Sequence, residues 1–249
     1  MTFHVVVTFC NAGPYLLRCI KSIQQQRSVP WQCWVYDDCS VDDSYERVAS
    51  LIRSDSRFRW HYNTYKHWMV GNLLQFRSRL DVHDEDVVVQ VDGDDWLPDA
   101  EVLSRIDEAY SDGNTWLTYG NFLRVGASTQ QVGYCRKVVA AKDVRALPWT
   151  SSAIRTFKVF LLRAIHLDDL LWTDGEFIPA AGDLALMFPM IEMAGDERSK
   201  CLSDINYCYN VTNPYNDFRV RKMVQQEIDL HLRRKPPYSL LRRDPNEAH

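Results

Sequence analysis

Short runs of apolar, β-branched residues alternate with amphipathic stretches from the start of the chain. Phe3-His4-Val5-Val6-Val7-Thr8-Phe9 has the density of a strand buried on both faces, and Pro14 to Ile23 then carries Leu16, Cys19, Ile20 and Ile23 at helical spacing. Trp31 to Tyr36 reads as a second strand. Ser40 with Asp43 three residues on resembles a capping box, opening a helix to about Arg53 with Val48, Leu51 and Ile52 on its apolar face. Phe58 to Tyr62 is a third strand, Gly71 to Leu80 a helix turning Leu73, Leu74 and Phe76 inward, and a fourth strand ends at Asp92. Strands and helices in strict alternation predict an α/β fold, a Rossmann-like, mostly parallel sheet flanked by helices. Ligands of such sheets bind at the carboxyl ends of the strands, where Asp38 and Asp92 fall.

The second half is less regular. Asp99 to Tyr110 reads as a helix and Thr115 to Tyr119 as a strand, while Gly120 to Pro148 has little periodicity. Helices are expected over Thr156 to Ile165 and Asp183 to Ala194, and a strand over Ile205 to Val211. A closing helix runs from Phe218 to Arg234, with Val220, Met223, Val224 and Ile228 on one side and Pro236-Pro237 beyond it. The organisation expected is one domain over residues 1–215 and a basic C-terminal helical extension over 216–249.

Composition narrows the class. At 249 residues, 46% hydrophobic and 25% charged, the chain can bury a sizeable core. No window approaches the ~18 apolar residues of a transmembrane span, and the first residues lack the basic start of a secretory signal, so a cytoplasmic protein is expected. The seven cysteines are odd in number and contain no C-x-x-C, which predicts reduced, mostly buried thiols. A net charge of −4 offers no general basis for nucleic-acid binding. From Arg219 to Arg243, however, eight basic residues face only Glu227 and Asp229. Such a tail suits peripheral contact with an anionic membrane surface, or a solvated helix face, which is the commoner use of such charges.

The chemistry concentrates in Val87-Val88-Val89-Gln90-Val91-Asp92-Gly93-Asp94-Asp95, a buried-type strand ending in three carboxylates. Carboxylates packed this closely repel one another unless a cation or strong donors offset them; a solvated acidic turn is the plain alternative. An EF-hand is a poor fit: counted from Asp92, its sixth position is Leu97 and its twelfth Leu103, where glycine and glutamate belong. Hard oxygen ligands suit Mn2+ or Mg2+ beside a phosphate.

These pieces in this order resemble a family 2 glycosyltransferase with the GT-A fold. The resemblance rests on Val5 to Asn11, Tyr15-Leu16, Ser22 to Gln26, Asp37 to Ser44 and Asp92 to Asp95, and it is strongest over residues 3–110. It implies inverting transfer of a sugar from a nucleotide-sugar donor, UDP- or dTDP-linked, to a hydroxyl of a glycan or lipid-linked acceptor. By the same resemblance Thr8, Phe9, Asn11, Asp38, Lys66 and Asp92 would hold the nucleotide, Asp38 through the ring N–H of the base and Asp92 through the ribose. Asp94 and Asp95, with Asp92 beside them, would hold the metal. Two departures stand out: Thr8 and Cys10 occupy positions where the family often has proline and an aromatic, and Cys39 stands where glycine or asparagine is common.

Gly182-Asp183 matches the family's acidic motif with glycine in place of its first acid, which makes Asp183 the expected general base; otherwise it is a helix N-cap. Arg155 and Lys158, three apart at an expected helix start, are candidate diphosphate contacts. Trp149, Trp172 and Phe177 are candidate platforms for an acceptor sugar. A sugar nucleotidyltransferase would need a glycine-rich basic loop after the first strand, and Asn11-Ala12-Gly13-Pro14 is not one. A non-catalytic nucleotide-sugar binding module would have no need of Asp183.

Overall fold

The computed structural model describes residues 1–126, 128–138, 140–151, 153–214 and 220–243. The expected boundary near residue 215 falls outside them. Strands β1 (Phe3–Phe9), β2 (Trp31–Asp37), β3 (Phe58–Tyr62) and β4 (Val87–Asp92) lie parallel in the order β3-β2-β1-β4. The chain moves outward from β1 to β3 and then returns to the other side of β1. The carboxyl ends of β1 and β4 therefore flank the point where the strand order reverses.

Alternate residues of these strands enter different cores. Val5, Val7, Val89 and Val91 pack under α1 (Pro14–Gln24), α2 (Ser44–Ser54) and α4 (Val102–Tyr110), while Val6, Trp34, Tyr36 and Val88 pack on the opposite face. That second face is covered by α3 (Trp68–Arg77), α5 (Val159–Ala164) and α6 (Gly182–Arg198). A strand buried on both sides has no solvent face, which accounts for the unbroken valine runs.

Beyond β4 the sheet becomes mixed. β5 (Leu117–Val125), β6 (Gln130–Gly133), β7 (Arg155–Lys158) and β8 (Ser199–Asn210) extend it, with β7 antiparallel between β4 and β5, and β8 parallel to β5. Residues 155–158 are therefore a strand and not the helix start expected; the helix begins only at Val159. In a strand, residues three apart point to opposite faces. Arg155 sits opposite Gln90, and Lys158 opposite Val87 at the amino end of β4.

Three other expectations are corrected. No capping box forms at α2: Asp43 is its N-cap without a side-chain bond, and Ser40 Oγ instead accepts the amide of Asn11. Cys135 and Cys201 are joined by a disulfide, because β8 returns beside β5 and brings together residues 66 apart; Cys19, Cys33 and Cys208 are buried free thiols. In the C-terminal helix α7 (Lys222–Arg234), Ile228 and Leu232 are buried, whereas Val220, Met223 and Val224 are exposed.

Part of the basic tail is engaged within the molecule. Arg233 pairs with Asp229 and donates to the carbonyls of Arg145 and Leu147, Lys235 pairs with Asp169, and Arg243 meets Asp84 and Glu85 while stacking on Phe160. Tyr238 donates its backbone N–H to Glu192 and its hydroxyl to Asp169. No helix of the described residues is long and apolar enough to cross a membrane.

Candidate active site

Loops at the carboxyl ends of β1, β2 and β4 are tied to one another by side chains. Asn11 donates its amide to Ser40 Oγ and accepts from the amide of Val41 through Oδ1, both at 2.8 Å. It thus couples the loop after β1 to the loop after β2. Asn11, Cys39, Trp68 and Ala181 all have positive φ (52°, 65°, 56° and 52°), the first two on the loops after β1 and β2, Trp68 at the start of α3 and Ala181 at the N-cap of α6. Such conformations cost ~1–3 kcal/mol each in residues with a Cβ and tend to gather at functional sites. Cys39 shows why glycine or asparagine suits its position.

Asp38 is nearly buried. Its Oδ1 accepts from Asn63 Nδ2 at 3.0 Å and the His67 amide at 2.8 Å, and its Oδ2 accepts from the Trp68 amide at 2.9 Å. Lys66 Nζ donates to the Asp38 carbonyl at 2.8 Å and stands 3.8 Å from Oδ2. A carboxylate offers about four lone-pair positions. Among the described residues three of these take hydrogen bonds, which leaves one position on Oδ2, the oxygen that Lys66 approaches. Asn63 is held in turn by Asn72 Oδ1 and Gln75 Nε2, a buried amide ladder that local sequence did not single out.

The acidic motif is braced from β8. The Asp92 amide donates to the Tyr207 hydroxyl at 3.0 Å, the Asn210 amide to Asp95 Oδ1 at 2.7 Å, and Asn213 Nδ2 to Asp94 Oδ2 at 2.8 Å. Asp95 is fully buried, unlike the half-buried Asp92 and Asp94. Burial drives its carboxyl well above the usual range, and Asp94 and Asp92 add to the rise. Its place is to fasten the end of β4 to β8. Asp92 and Asp94 remain half-buried. Gly93 between them has no room for a side chain, since a Cβ there would lie 2.5 Å from Phe9 Cβ. Phe9 itself is buried edge-on against Trp60, and Thr8 contributes its carbonyl to the Gly93 amide at 3.0 Å.

Asp183 comes to this site from the far half of the chain, in the first turn of α6. The N-cap is Ala181, and the Asp183 side chain makes no capping bond. Arg155 stands between the two halves: Nη2 lies 3.4 Å from Asp92 Oδ2 and Nη1 3.4 Å from Asp183 Oδ2, with only 8% of its side chain exposed. Burial opposes the guanidinium charge, but Asp92 and Asp183 more than offset this and hold it above its ordinary value. Burial also raises the Asp92 carboxyl, with Arg155 pulling it back and Asp183 adding to the rise. Trp149 Nε1 donates to Asp183 Oδ2 at 3.1 Å, a contact that no sequence pattern marked.

Two candidates lie elsewhere. Lys158 Nζ bonds the Glu85 carbonyl and carboxylate at the opposite edge of the sheet. Trp172 is half-buried against the core beside His231 of α7.

Comparison with known proteins identifies the family of the domain that carries the strand-end acidic motif and the buried carboxylate after β2. Residues 4–169 match the family described as glycosyl transferase family 2. The chain belongs to that family. No curated protein matches it significantly. Among solved structures, Staphylococcus aureus TarS is similar at TM-score 0.63 and 17% identity, over 93% of this chain and 41% of that one. Residues 1–349 of TarS in complex with UDP match at TM-score 0.62 and 17% identity, over 93% of this chain and 68% of that one. The mannosyltransferase PcManGT of Pyrobaculum calidifontis, in complex with GDP-Man and Mn2+, matches at TM-score 0.60 and 17% identity, over 94% of this chain and 65% of that one. The chain thus spans about two fifths of the first of these TarS chains. These likenesses establish the GT-A fold.

The donor set suits a hard divalent cation. Among the described residues no group of three or more His, Cys, Asp or Glu converges on one point. A closed protein cage is therefore not what is offered. Half-buried carboxylates at Asp94 and Asp92 match the open arrangement in which magnesium or manganese takes one or two carboxylates and completes its shell with phosphate and water oxygens.

Proposed function

We propose that this chain is an inverting glycosyltransferase that moves a sugar from a UDP- or dTDP-linked donor to a hydroxyl of a glycan or lipid-linked acceptor, with Asp183 as general base. The observation that carries this reading is the Arg155 bridge, which holds the strand-end Asp92 and the helix-borne Asp183 on one guanidinium. Donor and base sides of a displacement have to stand together in this way. Asp38 reads the base through its remaining lone pair, which suits the N3–H of uracil or thymine and gives nothing to cytosine. Asp92 holds the ribose. Asp94 holds the manganese or magnesium, whose charge would offset that of the departing diphosphate.

In the transfer, the acceptor oxygen attacks the anomeric carbon opposite the diphosphate, and its proton passes to Asp183. The bond from the anomeric carbon to the phosphate oxygen breaks, and its electron pair leaves on the nucleoside diphosphate. A metal-dependent nucleotide site is also in keeping with the ligands of the TarS and PcManGT complexes. Membrane contact through the C-terminal extension has less support, since Arg233, Lys235 and Arg243 are spent on internal ion pairs. A cytoplasmic setting sits uneasily with the Cys135–Cys201 disulfide.

The test is purified protein with manganese against a panel of nucleotide sugars, following release of nucleoside diphosphate, with binding measured by calorimetry. UDP or dTDP should bind better than CDP, manganese should tighten that binding, and Asp94→Asn should remove the metal effect. Equal binding of CDP and UDP would overturn the role of Asp38, and equal binding with and without metal that of Asp94.

A further inference from the structure

Asp183 is gripped by one oxygen only. Oδ2 accepts the Trp149 indole N–H at 3.1 Å and faces Arg155 Nη1 at 3.4 Å. Among the described residues nothing donates to Oδ1, although 23% of the side chain stays exposed. The two donors are fixed from different sides. Trp149 packs edge-on against Phe188 at 5.5 Å, on the same helix that carries Asp183. Arg155 is anchored by the sheet, opposite Gln90 of β4, and its second Nη atom meets Asp92. Since the aspartate does not cap its helix, no backbone bond restrains its carboxylate. Among the described residues these two contacts are the ones that bear on its rotation.

We propose that Trp149 and Arg155 are positioning residues that pin Oδ2 of Asp183 and so present Oδ1 as the atom that takes the acceptor proton. The assignment rests on the reading of Asp183 as general base. It moves Trp149 from a platform for a sugar ring, as its sequence context allowed, to a hydrogen-bond donor at the base. A carboxylate free to rotate exchanges its two oxygens and spends little of its time aligned with the incoming hydroxyl. Pinning one oxygen supplies that alignment in advance. The two groups differ in what else they touch: Arg155 also contacts Asp92 on the donor side, whereas Trp149 otherwise packs on Phe188 and the core.

Trp149 therefore gives the clean experiment. Trp149→Phe keeps a ring against Phe188 and deletes the N–H, and replacement by benzothienylalanine exchanges N–H for sulfur while keeping the bicyclic shape. Either should lower kcat by about 10-fold, the scale of one hydrogen bond to a charged group, with donor KM, nucleoside diphosphate affinity and Tm unchanged within error. The same change made in an Asp183→Asn background should cost nothing further, because the group it positions is gone. Wild-type kcat in both Trp149 variants overturns the inference. So does a loss that persists undiminished in the Asp183→Asn background, since Trp149 would then act elsewhere. Failure of the underlying reading looks different: near-normal transfer by Asp183→Asn alone ends the base assignment and this inference with it.

Discussion

Replacing Glu192 by glutamine tests how the helix that delivers Asp183 is held. Glu192 lies ten residues and nearly three turns beyond Gly182 on α6, with its side chain wholly buried. Its Oε1 accepts from Arg145 Nε at 2.6 Å, and its Oε2 from Arg145 Nη2 at 2.9 Å and from the Tyr238 amide at 2.9 Å. Arg145 donates its remaining Nη1 to the Leu232 carbonyl of α7 at 2.7 Å. One bidentate pair thus joins the 3₁₀ turn Ala141–Ala146, α6, α7 and the tail. Glu192→Gln keeps the shape but leaves the Arg145 charge without its counter-ion in a place where only 9% of its side chain meets solvent. Breaking one partner of a buried pair costs about 3–5 kcal/mol. At roughly 2–4 °C per kcal/mol for a domain of this size, Tm should fall by about 10 °C. Joint replacement, Arg145→Met with Glu192→Leu, should recover most of that loss, because the buried charge goes with its partner. Urea denaturation gives the free-energy difference directly, and a cost below about 1 kcal/mol for Glu192→Gln would refute the reasoning. Below its Tm the variant should keep kcat within a few-fold of wild type, since this carboxylate is not the base.

His4 and His61 should contribute less to stability on mild acidification. His4 Nδ1 accepts from Trp34 Nε1 at 3.1 Å and its Nε2 lies 3.2 Å from Asp86 Oδ2, which fixes the neutral tautomer with its proton on Nε2. Burial pushes its pKa below 6.5 despite the pull of Asp86, and His61 is pushed down in the same way. The stabilising effect of the neutral ring is complete above the unfolded value and is lost as pH falls below it, by at most about 1.4 kcal/mol per pH unit for each group. The Tm advantage of wild type over His4→Gln should shrink between pH 7.5 and 5.5; a difference that holds or grows on acidification contradicts the assignment. Cys39→Gly should raise Tm by about 1–3 °C by relieving its φ of 65°, and a lower Tm would show that the side chain gives more than the strain costs.

The strands from Phe3 to Asp92 were legible because each is a dense local run, and the acidic motif because its residues are contiguous. Asp183 was legible only through resemblance. Residues 155–158 were misread as helix because a short strand between β4 and β5 is set by its neighbours' hydrogen bonds rather than by its own four residues. Everything that followed from that slip was non-local: Lys158 at the far edge of the sheet, and Arg155 shared between two carboxylates. Asp95 looks like its neighbours in sequence, and only the return of β8 shows that it turns inward to Asn210. The tail's charges read as a free patch because their partners, Asp84, Glu85 and Asp169, lie far back along the chain.

The central claim, a single displacement with Asp183 as base, is tested most directly by the anomeric configuration of the product. Transfer from a donor of defined configuration is followed by proton NMR with wild-type protein and Asp183→Asn side by side. Wild type should yield the inverted anomer as the first product. Asp183→Asn should turn over roughly 10²- to 10⁴-fold more slowly while binding nucleoside diphosphate with nearly unchanged affinity. A first product that keeps the donor's configuration, or near-normal turnover by Asp183→Asn, would contradict the account.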